Sequence, residues 1–216
     1  MPPAPNIRTL VSMPFEENSY VAWLPGSTEC VVFDPGLQPE LIEECLREEG
    51  LTLAAILNTH GHADHIAGNA AMKRIAPDAP LVIGEGDAFM LENADANLSA
   101  GFGFAIVSPP AERTVSEGDT VEAAGLRFSV LNLPGHSPGH VVFVLKGAPT
   151  LVFGGDVLFR GSIGRYDFPG SDGRRLLDGI RRKLFTLTDD TVVYPGHGPT
   201  TTIGHEKRSN PFLSEE

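Results

Sequence analysis

The chain has 216 residues, 41% of them apolar, which is long enough to bury a sizeable core. Sixteen lysines and arginines against 28 acidic residues give a formal charge of -12, and this argues against nucleic-acid binding through a basic surface. An anionic substrate is not excluded, because a bound cation dominates its local field.

Cys30 and Cys45 form no CxxC and no disulfide framework, and read as buried free thiols. The start, MPPAPNIRTLVSMPF, has too many prolines and too short an apolar run for a signal peptide. No stretch approaches the ~20 apolar residues of a membrane span, so the chain reads as soluble and cytoplasmic.

In chain order, 7–13 and 20–24 read as strands, and ECVVFDPG (29–36) as a strand closed by Pro-Gly. Residues 39–50 are an amphipathic helix with Leu41, Ile42, Cys45 and Leu46 on one side and Gly50 at its C-terminus. A strand at 53–59 leads into one helix over 63–77, ended by Pro77, and then a strand at 80–84. GDAFMLENADANLS opens as a helix, and GFGFAIVSPPAE reads as a substrate-facing loop. The second half repeats the theme. It has a hairpin around Ala124-Gly125, strands at LRFSVLNL, 140–145 and 150–156, a helix over 172–187, and a last strand at 191–196. Leu176, Leu177, Ile180, Leu184 and Leu187 share one face of that helix, with Arg181, Arg182 and Lys183 on its solvated side. The tail reads as a short helix with a frayed end. Strands followed by helix and strand in each half predict an α/β fold, two half-units facing each other as a helix–sheet–sheet–helix (αββα) four-layer sandwich.

Chemistry concentrates in THGHADHIAG (59–68). His60 and His62 are two apart on a strand-end loop, and Asp64 and His65 follow at a helix start. His136 in LPGHSPGH, Asp156 after TLVFGG and His197 after VVYPG also stand at C-terminal strand ends among glycines. A lone histidine there is usually a hydrogen-bonded surface or core residue. Packed imidazoles and carboxylates, however, need partners, and a metal centre satisfies all of them at once. One catalytic zinc-like ion takes three protein ligands plus water, and seven candidates exceed that. The natural division is His60, His62 and His136 on one ion and Asp64, His65 and His197 on the other. Asp156 bridges them, with the ions about 3.5–4 Å apart. Imidazole and carboxylate suit zinc first, then iron or manganese. Such ions lower the pKa of water to about 7 and stabilise a developing oxyanion, which suits hydrolysis of an ester, thioester, amide or phosphodiester. Asp64 is placed to hold or accept the water's proton, although a metal-bound carboxylate is a poor base. Asp34, in VVFDPG, has two readings: orienting a ligating histidine through its other nitrogen, or serving as a turn residue before Pro35.

THGHADH carries the HxHxDH signature and resembles the metallo-β-lactamase superfamily; LPGHSPGH, GGD and YPGHG resemble its remaining motifs, in order along nearly the whole chain. The resemblance implies the αββα sandwich, a single domain over 1–216, and a site where the two sheets meet at one edge. It assigns the metal ligands to His60, His62, Asp64, His65, His136, Asp156 and His197. GDVLFRGSIGRYDFPG and VYPGHGPTTTIGHEKRSNPF are similar to the short glyoxalase II group, hydroxyacylglutathione hydrolases. That implies cleavage of S-D-lactoylglutathione to glutathione and D-lactate, with metal-bound hydroxide attacking the thioester carbonyl. Arg165 and Tyr166 stand where the long form contacts substrate. The long form's C-terminal helical region, whose basic residues grip glutathione, has no counterpart here; only Lys207 and Arg208 remain as basic candidates.

Persulfide dioxygenases resemble the same motifs but use one iron, on the positions of His60, His136 and Asp156. His197 favours the two-ion hydrolase over them. Lactonases and β-lactamases share the metal logic, and a non-enzymatic metal protein is the alternative of a different class. The partner is expected to be a small-molecule thioester, with no nucleic acid and no membrane, and the protein a monomer or small homo-oligomer.

Overall fold

The computed structural model describes residues 4–213. The first half lays down β1 (Asn6–Ser12), β2 (Glu17–Trp23), β3 (Glu29–Phe33), α1 (Pro39–Glu49), β4 (Thr52–Leu57), α2 (Ala63–Ile66), α3 (Asn69–Ile75), β5 (Leu81–Gly84) and β6 (Arg113–Val115). The second gives β7 (Thr120–Ala123), β8 (Leu126–Asn132), β9 (Val141–Leu145), β10 (Leu151–Gly155), a small hairpin of β11 (Leu158–Phe159) and β12 (Ser162–Ile163), α4 (Gly173–Arg182), β13 (Val192–Pro195), β14 (Thr201–Thr202) and α5 (Ile203–Ser209). The strands form two six-stranded sheets, ordered β1-β2-β3-β4-β5-β6 and β14-β13-β10-β9-β8-β7.

Period-2 alternation builds the layers. In β3, Cys30 and Val32 turn outward to a cluster with Ile42 and Leu46 of α1 and Met72 of α3. Val31 and Phe33 turn inward, where they meet Phe128, Val141, Phe143 and Phe153 of the second sheet. Val142, Val144, Val152 and Val193 face outward again, onto Leu176 and Ile180 of α4 and Ile203 of α5. Three apolar clusters between four layers make the expected αββα sandwich. At its centre Phe33 stacks on Phe153, centroids 3.9 Å apart, so the two sheets meet ring to ring.

The strand directions decide where chemistry can gather. β3 runs parallel to β4, and β10 to β13; β8 and β10 are both antiparallel to β9, so they share a direction. The segments after β3, β4, β8, β10 and β13 carry Asp34, His60, His136, Asp156 and His197. At the opposite end the sheets part around a cavity of about 710 Å³, lined by Ile7, Leu24, Leu126, Leu145 and Tyr194.

Four local readings are corrected. The helix expected over 63–77 is two helices, broken at Ala67 and Gly68. Gly68 N–H donates to Pro35 O at 2.8 Å, and a Cβ there would meet Gly36 O at 2.8 Å, so the chain is pinned to the turn after β3. The helix expected over 172–187 ends at Arg182 and gives way to a 3-10 turn, Leu184–Thr186; Asp172 caps its start by accepting from Arg175 N–H. Lys183 is not a free solvated side chain, since it donates to Glu117 Oε2 and Asn132 O. The segment after β5 forms a 3-10 turn, Glu85–Met90, instead of an α-helix. Gly50 caps α1 in the left-handed conformation, and both cysteines are buried free thiols, as expected. The frayed end expected of the tail falls at 214–216, outside the described residues. No helix among the described residues is long and apolar enough to cross a membrane.

Candidate metal centre

The turn after β4 holds His60 and His62, and the first turn of α2 holds Asp64 and His65. The segment is tied in from several sides. Val141 N–H, at the start of β9, donates to Thr59 O at 2.8 Å, and Asn58 Nδ2 donates to His65 O at 2.9 Å. Asp87, fully buried in the 3-10 turn after β5, accepts from Gly61 N–H at 3.1 Å, Ser137 Oγ–H at 2.5 Å and Gly139 N–H at 2.5 Å. One carboxylate thus fastens the loop of His60 and His62 to the loop of His136.

Four of the rings, those of His60, His65, His136 and His197, have one nitrogen committed to a partner outside the trios and the other turned to a common centre. His60 Nδ1 lies 3.1 Å from Thr59 Oγ1, and its Nε2 is buried without a partner. His136 Nδ1 donates to Arg165 O at 2.8 Å, and its Nε2 stands 2.9 Å from His62 Nδ1. His65 Nδ1 donates to Asp34 Oδ2 at 3.1 Å, and its Nε2 turns to Asp156 Oδ1 at 3.4 Å and Asp64 Oδ2 at 3.8 Å. His197 Nδ1 donates to Phe15 O at 3.1 Å, and its Nε2 faces Asp64 Oδ2 at 3.4 Å and Asp156 Oδ2 at 3.6 Å. The donor atoms fall into the trios His60–His62–His136 and Asp64–His65–His197, each within 4.8 Å. Asp34, His60 and His65 form a third such group, but Asp34 also accepts from Thr59 N–H at 2.7 Å and Thr59 Oγ1–H at 2.6 Å, so its oxygens are already engaged. Asp156 reaches both trios, with Oδ2 3.4 Å from His136 Nε2. His60 Nε2, His65 Nε2 and Asp156 Oδ1 are buried with no hydrogen-bond partner, as befits atoms meant for a cation. The residues fit a binuclear metal site.

The electrostatics divide along the same line. Burial, then neighbouring imidazoles, push His60 well down; burial and His136 hold His62 down to about 3. Burial also opposes charge on His65, yet Asp64 and Asp156 outweigh it and raise His65 well above the ordinary histidine range. His197 is raised too, burial being overcome by Asp156 and Asp64. Burial opposes ionisation of Asp156, but His65 and His197 hold it far below the usual carboxylate range.

The trios open into a cleft of about 360 Å³, walled by Phe15, Leu98, Phe102, Phe159, Arg165 and Phe168. The larger cavity at the far end contains none of this chemistry. Arg165 lines the cleft, with its guanidinium 4.3 Å above the Phe168 ring and in two 2.9 Å hydrogen bonds to Asp167. Tyr166 lies outside the lining, its ring against Gly173 of α4. Lys207 is also outside it, donating to Asp189 Oδ1 at 2.8 Å and Leu187 O at 3.2 Å, with Arg208 beside the same carboxylate at 3.5 Å. The loop read as substrate-facing supplies Phe102.

Sequence reasoning missed Asp87 and His140. His140 is fully buried, stacks on His60 at 4.7 Å, and its Nε2 accepts from Asp156 N–H at 3.1 Å. Its place as the second histidine of LPGHSPGH was the available signal. Asp87 offered none, being one acidic residue in an irregular segment.

The description "Metallo-beta-lactamase superfamily" matches residues 13–197. The hydroxyacylglutathione hydrolase GloC of Haemophilus influenzae is 36% identical, over 98% of this chain and 99% of its own. Among solved structures, BLEG-1 B3 metallo-beta-lactamase superposes with a TM-score of 0.93 at 36% identity, covering 97% of this chain and 100% of its own. TTHA1623 in a di-iron-bound form gives 0.83 at 42% identity, covering 95% and 100%. With the fold, the two ligand trios and the match along most of its length, this chain belongs to the metallo-beta-lactamase superfamily.

Proposed function

We propose that this metal-dependent hydrolase is a thioester hydrolase of the glyoxalase II type. It takes hydroxyacylglutathione thioesters, S-D-lactoylglutathione among them, to glutathione and the hydroxy acid. The observation that carries the reading is the pairing of two donor trios around Asp156 at the floor of a cleft sized for a small molecule. The full-length similarity to a hydroxyacylglutathione hydrolase supports the choice of substrate.

His60, His62 and His136 would hold one divalent ion and Asp64, His65 and His197 the other, with Asp156 between them and zinc the first expectation. Ions so held bring the pKa of water toward neutrality and stabilise negative charge on a carbonyl oxygen. The chain's own part is orientation. Arg165 O, Phe15 O and Asp34 accept from the outer nitrogens of His136, His197 and His65, which fixes the tautomers that leave the inner nitrogens free. Asp64 turns Oδ2 toward the inner nitrogens of His197 and His65, at 3.4 and 3.8 Å, which orients that oxygen to the second trio's centre. Arg165 is the cation assigned to the substrate. A thiolate leaves readily, so no separate acid is assigned.

The test is a panel on metal-quantified protein: lactoylglutathione, a non-glutathione thioester, a lactone and a β-lactam. Preference for the thioesters at two ions per chain is the expected result. Faster turnover of the lactam or lactone overturns it, as does oxygen uptake on glutathione persulfide at one iron per chain.

A further inference from the structure

The cleft over the two trios is walled mostly by rings. Phe168 stands 5.4 Å from the His62 ring and 5.9 Å from that of His136, and Phe159 stands 6.1 Å from His197. Both histidine groups are therefore flanked by an aromatic ring. At the mouth, Phe102 packs edge-on to Phe15 at 5.0 Å, and Phe104 continues the surface at 6.2 Å. Phe102 keeps 57% of its surface exposed and Phe104 40%. Rings left open at the mouth of a reactive cleft are apolar area ready for a ligand.

The charges point the same way. Among the described residues, Arg165 is the only lysine or arginine in the lining, and Asp167 already holds its guanidinium with two bonds. Lys207 and Arg208 are engaged with Asp189 outside the cleft. Glutathione presents two carboxylates and an ammonium. A single pre-paired cation in a chain of charge -12 grips them weakly, whereas the rings offer face and edge contacts to an aryl group.

We infer that the cleft selects its thioester by a bulky aromatic or apolar acyl group, with the thiol half contributing little. The inference rests on the thioesterase reading above and deepens it. With the thioester carbonyl at the trios, the acyl side is assigned to Phe168 and Phe159, because the charged glutathione half gains least from aromatic rings. The thiol half then runs out past Phe15 and Phe102 toward solvent.

The test compares kcat/KM on metal-quantified protein for lactoylglutathione, mandeloylglutathione and the mandeloyl thioester of N-acetylcysteamine, which lacks the glutathione carboxylates. Mandeloylglutathione should exceed lactoylglutathione on the order of tenfold, the scale of one or two added aromatic contacts. The N-acetylcysteamine ester should stay within about threefold of mandeloylglutathione. Phe159→Ala and Phe168→Ala should each shrink the mandeloyl-to-lactoyl ratio. Lactoylglutathione equal to or better than mandeloylglutathione overturns the inference and leaves the thioesterase reading standing. So does a collapse of turnover when glutathione is replaced. No turnover of any of the three thioesters overturns both.

Discussion

His62 Nδ1 and His136 Nε2 face each other at 2.9 Å, with room for one proton between them. A second proton would set two N–H donors head to head, and burial and His136 already hold His62 down to about 3. A cation entering the first trio therefore displaces little bound proton, whereas one entering the second must displace protons held on His65 and His197 by Asp64 and Asp156. Replacing His136 with alanine should remove one ion per chain and leave the other, read by elemental analysis after dialysis. Two ions retained per chain would show that His136 is not a ligand.

Asp156 reaches both trios, so Asp156→Ala should lower the content of both ions and reduce thioester hydrolysis by more than about a hundredfold, beyond the usual loss from an outer hydrogen-bond partner. The fold should persist, because Asp156 follows β10 and its carboxylate faces the histidines of the two trios. Circular dichroism checks the fold, and metal analysis with thiol release checks the site. Wild-type turnover in metal-loaded protein would refute the bridging role.

Asp87 joins the His60–His62 loop to the His136 loop from a position in neither. Asp87→Ala should weaken metal affinity about 10–100-fold, as loss of an outer partner does. It should also cost roughly 1–3 kcal/mol for each buried donor left without an acceptor. Asp87→Asn keeps one acceptor oxygen and should fall between. Competition with a chelating dye measures the first effect and thermal unfolding the second; an alanine variant with wild-type competition curves would reduce Asp87 to packing.

The metal-free protein should show a peak of stability near the unfolded histidine value of about 6.5. Below it, the unfolded chain takes up protons on His60, His62 and His140, which the native state refuses because burial pushes all three down. Stability therefore falls as the pH drops. Above it, the native state keeps protons on His65 and His197 that the unfolded chain releases, so stability falls as the pH rises through their raised native values. Glu17, pushed well up by burial, works in the same sense as His65 and His197 but from the ordinary carboxylate range upward, and so blunts the acid limb. Calorimetry of chelator-treated protein between about pH 5 and 9 should trace this dome. A steady rise across that range contradicts the assignment. Adding metal should remove the alkaline limb, since an ion then replaces the protons.

Much of this was legible in the sequence. Apolar runs such as ECVVF and VVFVL, alternation in LRFSVLNL, and strand-then-helix order in both halves carried the sandwich. Dense imidazole at strand ends carried the two trios. What stayed hidden depended on partners distant in the chain. The break at Gly68 needs Pro35, and Asp87 needs Ser137 and Gly139; no local pattern contains either pair. Phe15, Phe159 and Phe168 gave no sign of facing a cleft, because an aromatic residue on a loop reads the same whether it fills a core or a pocket.

Among the described residues, the hydrogen bonds that tie the two sheets together gather at the reactive edge, with Arg113 Nη2 on Thr120 O joining β6 to β7 away from it. Asn18 Nδ2 donates to Pro195 O and Gly198 O, Asn18 N–H to Gly196 O, and Tyr20 Oη–H to Pro195 O, which binds the loop of His197 to β2. Val141 N–H on Thr59 O and Asp87 on Ser137 and Gly139 do the same for the loop of His136. At the other end lies the 710 Å³ gap. Mechanically, the molecule is a book whose spine is its reactive edge. Any opening of the sheets is expected to displace the far margins most and the ligand atoms least. Amide exchange should accordingly be slowest at Asn18 and Val141 and fastest in the turns that border the gap.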